Sequence, residues 1–134
     1  MPLTELIVNR MKGLRTEDRE TDCLIHEMLH PKLTPKMRGT YYGEYTGEYF
    51  GPDENGVEGL RSRAKDYTAS QDTAMALVRS FYPEAAVHLF IFTSSTTCRL
   101  YPTEDHDGIK ASRTTAPLAL IDALMQALNE TADA

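Results

Sequence analysis

Residues 67–128 restrict the fold more than any other part of the chain. Ala74, Leu77, Val78 and Phe81 recur at the i, i+3, i+4, i+7 spacing of one buried helix face, and Pro83 ends that helix. Thr68 and Gln71 fit a capping box at its start, with Ser70 a competing N-cap. Ala86–Phe92 is a mostly apolar strand whose alternation sets Val87, Leu89 and Ile91 opposite His88, Phe90 and Phe92. Thr93–Thr97 is a polar turn, Cys98–Thr103 a returning strand, and Ile109–Arg113 a third short strand. A last helix follows, with Thr115 as N-cap and Pro117 in the first turn, where a missing N–H costs little. Leu118, Ile121, Leu124, Met125 and Leu128 form its large-residue stripe. Ala116, Ala119, Ala123 and Ala127 form a second stripe, narrow enough for another helix to approach closely. Helix, antiparallel strands and closing helix make an α+β protein.

Upstream, Leu3, Leu6, Ile7 and Met11 mark a short helix ending at Gly13. A second helix is expected from near Thr16 to His30, its apolar side being Leu24, Ile25, Met28 and Leu29. Residues 31–39 read as a basic linker. Tyr41 to Phe50 reads as one strand, with Tyr41, Gly43, Tyr45, Gly47 and Tyr49 on one face. Pro52–Gly56 is a turn with Asn55-Gly56 at its tip, and Val57–Arg63 returns to complete a hairpin. The 134 residues suit a single domain. Residues 1–38 supply helices and linker, 40–63 an inserted Tyr-rich hairpin, and 64–130 the core block.

The charge is −6, from 14 Lys plus Arg against 20 Asp plus Glu, which argues against a non-specific nucleic-acid binder. Residues 41–58 hold five carboxylates and no Lys or Arg, a solvated hairpin that discourages edge-to-edge pairing. Cys23 and Cys98 are far apart, so reduced thiols in a cytosol are the expectation. No leader and no membrane span is expected, and the protein reads as soluble and cytoplasmic.

Tyr67, Thr68, Ser70, Asp72, Ala74, Leu77 and Val78 form a pattern that resembles small phage and prophage proteins of the phage ABA sandwich domain family. The similarity resumes at Ala116–Leu120 with Ala123 and Leu124. Glu5, Leu6, Ile7 and Gly13, leading to Asp18, Arg19, Glu20, Asp22 and Ile25, resemble the leader of such proteins. About two thirds of the chain is covered, and the Tyr-rich hairpin lies outside. The resemblance implies a layered sandwich, with helices on both sides of a mainly antiparallel sheet, in a phage-encoded protein. It carries no activity onto any residue, since the motif positions read as capping and packing.

His26-Glu27-Met28-Leu29-His30 matches H-E-x-x-H, in which two His on one helix face bind zinc and the Glu polarises a water. At ~100° per residue the two His point about 150° away from the apolar side, toward solvent. Surface histidines are the favoured reading, with zinc entering only under the alternative of a zinc-dependent hydrolase. Tyr41, Tyr45 and Tyr49 offer either a recognition face, with Arg61 and Arg63 meeting an anion, or a cover for the domain's own sheet. His88 and Cys98 read as sheet residues rather than a nucleophilic pair. The favoured function is a non-catalytic phage accessory protein that binds a host nucleotide-type ligand or a host protein as a homo-oligomer. Ala119, Ala123 and Ala127 are its candidate interface. No other cofactor is implied, a membrane partner is not expected and nucleic acid is disfavoured; a virion or assembly component is a further alternative.

Overall fold

The computed structural model describes residues 2–133. Helices α1 (Leu3–Met11) and α2 (Arg19–Leu29) lead through a short 3-10 turn, Pro35–Met37, to strands β1 (Arg38–Tyr41), β2 (Glu44–Pro52) and β3 (Glu58–Arg63). Helix α3 (Gln71–Phe81), strands β4 (Ala86–Ile91), β5 (Thr96–Tyr101) and β6 (Ile109–Arg113), and helix α4 (Ala116–Asp133) complete the chain. The protein is α+β. Its helices flank two three-stranded antiparallel sheets, ordered β1-β2-β3 and β4-β5-β6. The β-structure expected in one sheet and an inserted hairpin is thus divided between two sheets.

Helix ends are set by local hydrogen bonds. The Asp18 carboxylate accepts from Thr21 N at 3.0 Å and caps α2. Ser70 caps α3, accepting from Thr73 N at 3.2 Å. Thr68 is therefore not the cap: it is buried, and its N–H and hydroxyl donate to the Asp22 carboxylate at 2.8 and 2.9 Å. Asp18 N donates to the Thr68 hydroxyl as well. Residues 18–22 and 67–68, far apart in sequence, are thus bound to each other.

Helix α4 is the centre of the molecule. It packs on β5 and β6 and also against α1 and α3. A helix enclosed on all sides must be apolar all round, which accounts for its two stripes. Leu118, Ile121, Leu124 and Met125 are fully buried, and so are Ala119 and Ala123, with Ala127 at 2 % exposure. The interface expected along Ala119, Ala123 and Ala127 is therefore internal; the small side chains admit the chain's own elements. Asp122, a buried acid of α4, lies 2.8 Å from the Arg113 guanidinium and accepts from Gln126.

The stretch from Tyr41 to Phe50 is not one strand. Tyr42 and Gly43 both take positive φ, 52° and 81°, and form a two-residue hairpin turn. Tyr41 thus lies across from Glu44, on a different strand from Tyr45 and Tyr49. Gly47, at φ 84°, is needed twice: for that backbone conformation and because a Cβ there would overlap the Arg19 guanidinium. That guanidinium binds Asp22 and donates to the carbonyls of Ala64 and Lys65, tying α2 to the end of β3. No helix among the described residues is long and apolar enough to cross a membrane.

Candidate functional site

Helix α2 is buried on two sides. Leu24 and Ile25 join the main core, while Cys23 joins Tyr49 and Ala64 in a second cluster beneath β1–β3. Glu27 faces that second layer at 5 % exposure. Its carboxylate accepts from Arg38 at 2.6 and 3.0 Å and from the Tyr49 hydroxyl at 2.6 Å. Burial opposes the charge on Arg38, but the hydrogen bonds to Glu27 and Tyr45 and the Glu27 charge outweigh it and raise the guanidinium pKa. Burial, then donation to Glu27, drives the Tyr49 phenol upward, so it stays protonated. Glu27 is held by two partners and is not free to activate a water.

The histidines depart from the sequence expectation. His26 is not at the surface: only 4 % is exposed, because β3 covers that side of α2. Its Nε2 lies 2.7 Å from Ser62 Oγ on β3, and its buried Nδ1 has no partner. Burial depresses its pKa, with the neighbouring His30 adding to the effect. His30 is exposed at the end of α2, with its ring 4.5 Å from that of His26. Among the described residues, no group of three or more His, Cys, Asp and Glu is placed to hold a metal ion.

What His30 and Leu29 do share is a cleft. They stand between two open hollows of about 460 and 530 Å³, within the range of small-molecule sites. The first lies between α2 and α3 and is lined by His26, Arg63, Lys65, Tyr67, Asp72 and Thr73, among others. The second lies toward the first sheet and holds Lys32, Leu33, Met37, Arg61 and Ser62. Four permanent cations line these two neighbouring hollows, Arg63 and Lys65 the first and Lys32 and Arg61 the second, against one acid, Asp72. Arg63 reaches Glu48 at 3.6 Å, both side chains being open to solvent, so that pair is weak. Lys32, Arg61 and Lys65 form no salt bridge among the described residues.

Of the candidate ligand residues, Arg61 and Arg63 line this cleft, whereas Tyr41, Tyr45 and Tyr49 do not. Tyr49 is fully buried, Tyr45 is half-buried with the Arg38 guanidinium 5.1 Å from its ring centre, and Tyr41 is exposed at the hairpin tip. Tyr67 also lines the cleft, but it is 5 % exposed and packs in the main core, as its place in a packing motif implies. His88 and Cys98 point to opposite faces of the second sheet, Cys98 opposing Leu89 and His88 opposing Arg99. No family model, curated protein or solved structure matches the chain.

Proposed function

We propose that the protein is a non-catalytic phage accessory protein that binds a phosphorylated small molecule of its host, of the nucleotide type, in the cleft around His30. The observation that carries this reading is the grouping of Lys32, Arg61, Arg63 and Lys65 around two neighbouring hollows in a chain whose net charge is −6. Like charges grouped in one cleft repel one another, and an anionic occupant relieves that repulsion. Guanidinium forks suit phosphate oxygens, and the two lysines add point charges that tolerate varied geometry. Asp72 can accept from a ligand hydroxyl or amine. The phage setting, and with it action in the cytoplasm of an infected bacterium by sequestering a host signal, rests on the resemblance of the core motifs.

The test is native mass spectrometry of protein purified from cells, followed by calorimetric titration with inorganic phosphate and with mono-, di- and cyclic nucleotides. A retained phosphorylated mass, or saturable binding weakened at least about tenfold by Arg61→Glu or Arg63→Glu, is expected. Retention of nothing, with no heat from any phosphorylated probe, would remove the proposal.

A further inference from the structure

The second sheet has a face that the cleft does not use. On β5 and β6, Cys98, Leu100, Ile109 and Ala111 point inward and are at most 6 % exposed. Alternation then turns His88 and Phe90 of β4, Thr97, Arg99 and Tyr101 of β5, and Lys110 and Ser112 of β6 outward. His88 opposes Arg99 and Arg99 opposes Lys110, so two permanent cations lie side by side on β5 and β6, next to the His88 imidazole on β4. Like charges directly opposite one another destabilise a sheet. None of the three strands contains an Asp or Glu to offset them. Arg99 and Lys110 are exposed and form no salt bridge among the described residues; one acid, Asp107, lines the small hollow of about 120 Å³ with them.

Aromatic rings adjoin this pair. Phe90 is 47 % exposed and Phe92, just past the strand, 66 % exposed. Tyr101 stands beside His88, ring centres 5.6 Å apart. Beyond Ser112 the surface leads into a hollow of about 390 Å³ with Lys12 and Arg15 on its walls. The Arg99–Lys110 pair and the basic hollow beyond it supply one component of single-strand recognition, a positive track for the phosphates, and the bare rings supply the other, flat surfaces for the bases.

We propose that the outward face of the β4–β6 sheet binds single-stranded nucleic acid. The net charge of −6 counts against nucleic acid only if charge is evenly spread, and here the acids are absent from the strands that form the face. A duplex would hide its bases from Phe90 and Phe92, so the single strand is the form that uses both features. An acidic protein segment would satisfy Arg99 and Lys110 but leave the rings without stacking partners. The repulsive remainder of the molecule makes binding weak and steeply dependent on salt.

The experiment is fluorescence anisotropy of the whole chain at low salt with labelled oligouridine and oligothymidine of about twelve nucleotides. A duplex of the same length and a labelled polyglutamate serve as competitors. Saturable single-strand binding is expected, weakened at least about tenfold by Arg99→Glu with Lys110→Glu. Phe90→Ala should weaken binding while leaving the slope of log affinity against log salt unchanged, because it removes stacking and no charge. Each lost cation should lower that slope by about 0.7. Arg99 and Lys110 are exposed, so these variants retain the fold, which circular dichroism checks. No binding at low salt, or binding indifferent to both reversals, overturns the proposal. So does equal capture of polyglutamate, which would give the face to a protein partner, or loss of oligonucleotide binding only in Arg61→Glu and Arg63→Glu, which would give it to the cleft.

Discussion

The hydroxyl of Tyr49 donates to Glu27 at 2.6 Å, across the boundary between helix α2 and the first sheet. With the Arg38–Glu27 ion pair, whose side chains are 8 % and 5 % exposed, it forms the polar joint on which that sheet is mounted. The Cys23 carbonyl lies 3.0 Å from the same hydroxyl, so its single proton is shared unequally between two acceptors of α2, with Glu27 the nearer. This joint assigns the central Glu of the H-E-x-x-H stretch to architecture.

Removing one member of the joint leaves a buried charge without its partner. Glu27→Ala is expected to cost about 3–5 kcal/mol, since the desolvated Arg38 guanidinium remains. Tyr49→Phe should cost about 1.5–3 kcal/mol, the scale of a hydrogen bond to a charged group. Tyr41→Ala, at the open hairpin tip, should stay within about 0.5 kcal/mol. Urea unfolding midpoints check the order. Native stability in Glu27→Ala would show that the joint does not hold the sheet.

The core block was legible because its signals are local. Helical spacing in 74–81 and 116–128, prolines at the ends and alternation in the strands each need only a few neighbouring residues. The first sheet was harder. A Tyr/Gly alternation satisfies the period of a strand, yet Tyr42-Gly43 also suits a two-residue turn, and the usual Asn-Gly marker is missing there. His26 was misplaced because a single apolar stripe defines one buried side, whereas α2 has a second, polar one formed by Glu27 and His26 under β1–β3. The cleft was half legible. Arg61 and Arg63 stood out as a basic pair after an acidic run, but only tertiary structure brings Lys32, His30 and Tyr67 to them.

The alanine stripe of α4 yields a prediction opposite to that of an oligomer interface. Ala123 is fully buried within the chain, so Ala123→Leu overpacks the centre of the protein. A loss of about 1–3 kcal/mol in unfolding stability is expected, with the sedimentation behaviour of the folded fraction unaltered. A change of subunit number at unchanged stability would place the stripe at an interface after all.

Both thiols should be silent in the native protein. Cys23 and Cys98 are fully buried, and burial pushes Cys98 up to about 11, with Asp122 adding to the effect. A thiol held protonated and out of reach does not attack disulfide reagents. Titration with such a reagent should find no reactive group until denaturant is added, and then both.

His26 should make stability fall on mild acidification. Burial lowers its pKa, and His30, Arg19 and Lys65 push the same way while Glu27 opposes them; Ser62 Oγ and the Tyr49 ring complete its surroundings. The unfolded chain takes up a proton near the ordinary value of about 6.5, whereas the folded chain does so only at lower pH. In that window the unfolded state binds more protons, so unfolding free energy rises with pH and drops as pH falls below about 6.5. Asp22 works in the opposite sense, because burial raises its pKa, but its window opens at the carboxylate end of the scale. Unfolding of wild type at pH 7.5 and at pH 5.5 should therefore show the acid sample weaker, and His26→Gln should flatten that difference. If His26→Gln keeps the full dependence, the acid sensitivity belongs to another group and the buried imidazole does not control it.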